Sequence, residues 1–221
     1  MVTTASRGDR IADAGGFSLI EMMIASLITT VVLGSAGMLT AGVQSAYTHE
    51  LDDAALQEEA QYVLDWIGQT VAPAGSNPYD VSTADCGEPG TLFAPLRLDP
   101  DGNGVDDDLR VQADINPPNG LVAGSLDGCD EPGEDVTISF DRPNHIITRR
   151  DATDAAPVAM TAGVFTSLQF SYLTADRTIT SNPDAVAFVQ VELTGQSPSR
   201  NPITGQSATY TYQSEIRVRA R

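Results

Sequence analysis

The sequence predicts an α+β fold: a long N-terminal helix, membrane-embedded in its first half, packed through its second half on an antiparallel β-sheet head. Three observations carry this prediction. Residues 17–48 are apolar, with Glu21 as their single charged residue. Residues 49–72 become amphipathic with helical spacing. Beyond residue 132, apolar and polar residues alternate with period two between Gly-, Asn- and Pro-containing turns.

The apolar run exceeds the roughly 20 residues needed to span a bilayer. A carboxylate near its start costs a few kcal/mol or more in lipid, so Glu21 predicts a partner. A plain anchor has no need of such a glutamate. A secretory signal places its small-residue cleavage site after the apolar core, whereas Gly15-Gly16 stand before it. Residues 1–16 carry Arg7 and Arg10 against Asp9 and Asp13, a net charge of zero, which weakens the usual positive-inside cue. Gly34, Gly37 and Gly42 interrupt the run; the first two, three apart, do not form the GxxxG spacing of close-packed membrane helices.

In the amphipathic extension, Leu56, Ala60, Val63, Leu64, Ile67 and Val71 fall on one helical face. Trp66 packs near that stripe, and Asp52, Asp53, Glu58, Glu59 and Asp65 are expected on solvated faces. Pro73 and the Gly75-Ser76-Asn77-Pro78 run stop the helix. Continuous from Phe17 to Val71, it would be about 80 Å long.

The head, residues 73–221, opens with a loop-rich insertion, 77–132, that holds two short strand candidates, Leu92–Leu98 and Leu109–Asp114. Asp135–Asp141 alternates cleanly, Arg142-Pro143-Asn144 makes a turn, and His145–Arg149 pairs back as a hairpin. Val164–Leu173, Ala185–Leu193 and Ala208–Arg219 are three further strands.

Composition excludes several functions. The net charge is −18, from 30 acidic residues against 12 basic ones, all arginine. Such a surface argues against nucleic-acid binding by the head, since phosphate contacts need basic patches. Only His49 and His145 exist, both read as structural, and no nucleophile elbow, zinc-protease, P-loop or dinucleotide motif occurs. An enzyme is not expected. Cys86 and Cys129 fit neither a CxxC redox motif nor a zinc knuckle. Behind a membrane anchor they face an oxidising compartment, so a structural disulfide is the favoured reading, contributing about 4 kcal/mol in the chain-entropy picture.

One acidic run has chemical content. In the segment from Asp99 to Asp108, the side chains of Asp99, Asp101, Asn103 and Asp107 and the Val105 carbonyl fall at positions 1, 3, 5, 9 and 7 of a calcium loop, with Gly104 at position 6. The twelfth position is Arg110, not a bidentate glutamate. Asp127, Asp130 or Glu134 could stand in for it. The alternative is a solvated acidic turn.

Gly15-Gly16, the aromatic Phe17 and Glu21 four residues on, opening an apolar helix, resemble the class III signal of type IV pilins and pseudopilins. The resemblance implies that residues 1–16 are a leader, that a prepilin peptidase cuts between Gly16 and Phe17, and that Phe17 is then N-methylated. It also implies that Glu21 pairs with the N-terminal amine of a neighbouring subunit. Leu56–Ile67 with Ala74-Gly75, the Leu109–Asp114 and Pro132–Thr137 segments, and the ending Ser214–Arg219 look like PilW-type minor pilins. The apolar segment lacks the proline that major pilins often carry, and the head is larger than theirs, which favours a minor subunit. The resemblance thus implies a pilin-like fold and a minor pilin that helps initiate type IV pilus assembly near the tip. Its partners would be other pilin subunits. Before assembly it would be a single-pass inner-membrane protein with a periplasmic head. A J-type pseudopilin of a type II secretion system and a membrane-anchored extracytoplasmic binding domain are the alternatives.

Overall fold

The computed structural model describes residues 16–76, 93–113, 115, 132–151, 154–201 and 204–219. Cys86, Cys129, Asp127 and Asp130 lie outside the described residues. The chain divides into two compact units, 1–47 and 48–221, and helix α1 (Leu19–Val71) contributes to both.

In the first unit every described residue is exposed. An 18-residue window of α1 has a mean hydropathy of 1.9 and no burial, so this is a helix long and apolar enough to cross a membrane. Five of its hydroxyls are satisfied from within. The hydroxyls of Ser26, Thr29, Thr30, Ser35 and Thr40 donate to the carbonyls of Met23, Ala25, Ser26, Val32 and Ala36 at 2.7–2.9 Å. A helix in hydrocarbon must find its hydrogen bonds internally, and back-bonding to the preceding turn achieves this.

In the second unit α1 buries one stripe: Leu56, Ala60, Val63, Ile67 and Val71 are all at 2 % exposure or less. Leu64 and Trp66 pack half-buried at its margin. Full burial of each branched side chain contributes about 2 kcal/mol. The helix stops at Val71, where Pro73 cannot continue the ladder; Gly75, at φ 79°, turns the chain so that its N–H reaches the Gln112 carbonyl at 2.9 Å.

Two antiparallel sheets complete the head. The first is a meander in sequence order, β1 (Leu96–Leu98), β2 (Asp108–Gln112), β3 (Asp135–Asp141), β4 (Ile146–Asp151) and β5 (Val158–Ala159). The second is β6 (Phe165–Leu173), β7 (Phe188–Arg200) and β8 (Ser207–Arg217). Leu109, Val111, Val136, Ile138 and Ile147 of the first sheet and Phe165, Phe170, Val189, Val191 and Leu193 of the second join the helix stripe in one core. The α+β arrangement expected from the sequence is therefore the observed one.

Several local expectations change. Of the strand expected over Leu92–Leu98, Leu92 lies outside the described residues, and β1 begins at Leu96, where Ala94 before it instead donates its N–H to the Gln112 side chain at 2.8 Å. β7 runs on to Arg200 past Gly195 and Pro198, with a register irregularity between Gln196 and Arg200 that admits the proline. His145 sits in the β3–β4 turn at φ 58°, not in the returning strand. Asp52, Asp53 and Glu59 are not simply solvated: they accept hydrogen bonds from the Ser199 hydroxyl, the Tyr210 hydroxyl (2.7 Å) and the Ala162 N–H. These acids flank the buried stripe and clamp α1 to the strands and loop beside it. Glu58 and Asp65 stay exposed as expected.

Gly195 marks the closest approach of helix and sheet. A Cβ built there would stand 2.7 Å from Leu56 Cδ1 and 3.2 Å from the Phe165 ring. Gly195→Val should therefore destabilise the head by about 1–3 kcal/mol through overpacking. In Leu56→Ala, which vacates the space, the same change should cost less or stabilise, a coupling that a double-mutant cycle in chemical denaturation would read. Additive effects would contradict this packing.

Candidate processing segment and acidic loop

Gly16, Phe17 and Ser18 precede the first turn of α1 and are not helical. Phe17 is 84 % exposed and a Cβ added at Gly16 would meet nothing within 4 Å. The Gly16–Phe17 peptide is thus exposed, as is the rest of the described apolar segment up to Thr48. The reason the helix begins after that peptide is a reciprocal cap. Glu21 N–H donates to Ser18 Oγ at 3.2 Å, and Ser18 N–H donates to Glu21 Oε2 at 2.9 Å. This is the capping box of a Ser-x-x-Glu segment, and Glu21 also sits where the helix dipole favours negative charge. The signal is present in Ser18-Leu19-Ile20-Glu21. Reading Glu21 only as a charge seeking a partner misses its local role.

The acidic loop is built by its own carboxylates. Asp99 Oδ1 and Oδ2 accept from the N–H groups of Asn103 (3.0 Å) and Gly104 (2.8 Å). Asp101 Oδ1 accepts from Asn103 N–H at 2.9 Å, its Oδ2 from the Asn103 side-chain amide at 2.7 Å, and Asn103 Oδ1 accepts from Val105 N–H at 2.7 Å. Gly102 (φ 72°) and Gly104 (φ 77°) supply the left-handed backbone that the turn needs. The Gly104 N–H on Asp99 holds that carboxylate below its ordinary range.

The carboxylate that joins Asp99 and Asp101 is not the expected one. Carboxylate oxygens of Asp99, Asp101 and Asp108 lie within 4.8 Å of one another. Asp107 instead accepts from Arg142 Nε at 2.8 Å. Position 9 is lost to this hairpin cation, and the first residue of β2 replaces it. Glu134 is also removed as a stand-in: β2 pairs Asp108 with Ser139 and Gln112 with Asp135, so Glu134 falls at the other end of the strand pair. There its Oε1 accepts from Ile115 N–H. Arg110, at position 12, makes a two-pronged bond to buried Asp135 at 2.7 and 2.6 Å.

Asp108 is 3 % exposed, and its Oδ1 has no hydrogen-bond partner. Burial, with the charges of Asp101, Asp99 and Asp107, outweighs the hydrogen bond from Asp101 N–H and pushes its pKa up to about 6. The hydroxyl of Tyr172 on β6 is likewise buried without a partner. Burial first, then the charges of Asp106, Asp108 and Asp99, push that phenol above its ordinary range.

No curated protein and no solved structure matches the chain. Residues 12–37, which bracket Gly16, Phe17 and Glu21, match the family model described as the prokaryotic N-terminal methylation motif. With the 53-residue helix that begins within them at Leu19, the chain carries the type IV pilin signature at its N-terminus.

Proposed function

We propose that this chain is a minor pilin that helps initiate type IV pilus assembly and sits near the filament tip. What carries the reading is the methylation motif leading directly into a helix segment that is apolar and exposed on every side. Such a surface is stable in only two settings, lipid and a bundle of similar helices. A pilin subunit occupies both in turn, first as a single-pass inner-membrane protein with a periplasmic head, then in the filament. The absence of a proline between Phe17 and Val71 and the size of the head favour a minor subunit. The role is structural: the chain is a substrate of the prepilin peptidase and a partner of other pilins.

Processing between Gly16 and Phe17 is the first expectation of this reading, supported by the motif match over residues 12–37. The mature chain should begin at Phe17 with an N-methyl group, which mass spectrometry of membrane-extracted protein would read. A product that retains Met1, or one cut beyond the apolar segment, would end this reading.

Glu21 has two separable roles. Its carboxylate caps the helix locally, and in the filament it offsets the positive amine of a neighbour's Phe17, since burying one charge alone is costly. Glutamine also completes a capping box. Glu21→Gln should therefore keep the helix start, read by amide exchange at Ser18, yet reduce incorporation into sheared filaments as strongly as Glu21→Ala. Wild-type incorporation of Glu21→Gln would defeat the charge-pair role and leave only the cap.

A further inference from the structure

We propose that Asp99, Asp101 and Asp108, with Asn103 beside them, form a divalent-cation site of the calcium class on the head. The geometry suits such an ion. Oxygens on a coordination sphere of about 2.4 Å radius lie at most about 4.8 Å apart, and that is the span within which the three carboxylates converge. The ligands are all oxygen, as a hard cation requires. Three carboxylates meet there, and the nearby guanidinium of Arg142 is committed to Asp107.

Two further observations, independent of the loop's internal hydrogen bonds, point to a ligand. Asp108 is almost wholly buried, yet Oδ1 lacks any partner. A buried carboxylate oxygen left unpaired is costly, and a cation held by Asp99, Asp101 and Asp108 would offset that cost. The Tyr172 hydroxyl is equally buried and equally unpartnered, on the strand whose Phe170 N–H is bonded to the Asp106 carbonyl. A bound ion and its water would give this phenol a polar neighbour.

The site is placed to hold the head together. Just past the turn, the Asp106 carbonyl accepts from Phe170 N–H on β6 at 2.7 Å, and the Asp107 carbonyl accepts from Phe140 N–H on β3 at 3.2 Å. The loop is thus tied to both sheets, and a cation would fasten its outer arm, Asp99 and Asp101, to the start of β2 at Asp108. Calcium binding should be read as a rise in stability of both sheets together.

The test uses the full chain in detergent with calcium, magnesium and terbium as probes. Calcium should raise the melting temperature by several degrees; at a hundredfold excess over Kd, the unfolded fraction falls about a hundredfold. Terbium should show tyrosine-sensitised emission that calcium displaces, and Tyr172→Phe should remove most of that emission while leaving the calcium-induced rise in place. Asp101→Asn, at an exposed position, and Asp108→Asn should each weaken calcium binding at least tenfold. Without calcium, Asp108→Asn should melt no lower than the parent, because it removes a buried charge. Asp107→Asn should bind calcium as the parent does. The proposal is overturned if the parent shows neither a calcium-dependent rise nor displaceable emission. It is also overturned if the rise survives in both Asp101→Asn and Asp108→Asn, or if Asp107→Asn loses binding as fully as Asp108→Asn.

Discussion

The buried stripe of α1 is the interaction on which the head depends. Leu56, Ala60, Val63, Ile67 and Val71 supply the apolar surface that both sheets share, so neither sheet closes a core without the helix. Gly195 lets β7 approach Leu56 closely. The flanking acids Asp52, Asp53 and Glu59 then hold the helix by hydrogen bonds at its margins. The stripe fixes the depth of the helix and the acids fix its rotation. A helix with an apolar seam alone can roll within its groove; polar contacts on its flank oppose that.

The same helix meets two different demands along its length. Up to Thr48 its side chains are apolar on all sides and exposed, and beyond Leu56 only one face is buried. The pattern change at about residue 49 is where the chain passes from the first compact unit to the second. Periodicity makes this legible from the sequence, because an all-round apolar helix and a one-faced helix leave different marks. The β3–β4 hairpin is equally legible: Asp135–Asp141 alternates strictly, and the strand has those same bounds.

What escapes a reading of the sequence has physical causes. Gly195 and Pro198 look like strand breakers, yet β7 continues through them because Gly195 is needed for a close approach and a register irregularity admits Pro198. β5 has two residues, too few to show a period. In the acidic loop, counting positions along a linear template selects Asp107. The template cannot know that a hairpin 35 residues away presents Arg142 to that carboxylate. Asp108 takes its place because β2 begins there, a fact of strand register rather than of local spacing. The capping box at Ser18 and Glu21 is written in four consecutive residues, but reading Glu21 as a charge that needs a distant partner hides its structural use.

The internally bonded hydroxyls of the apolar helix have one more consequence. Ser26, Thr29, Thr30, Ser35 and Thr40 spend their donors on their own backbone, and Gly34, Gly37 and Gly42 leave open notches with nothing within 4 Å of a would-be side chain. Seen from a neighbouring helix, this is a smooth rod with shallow dents. It has contour but almost no chemical lettering. Such a surface offers a neighbouring helix shape but few free polar groups with which to fix one longitudinal position. If the chain assembles as proposed above, longitudinal alignment falls to Glu21, the single charge of the apolar run and the one index mark on an otherwise ungraduated scale.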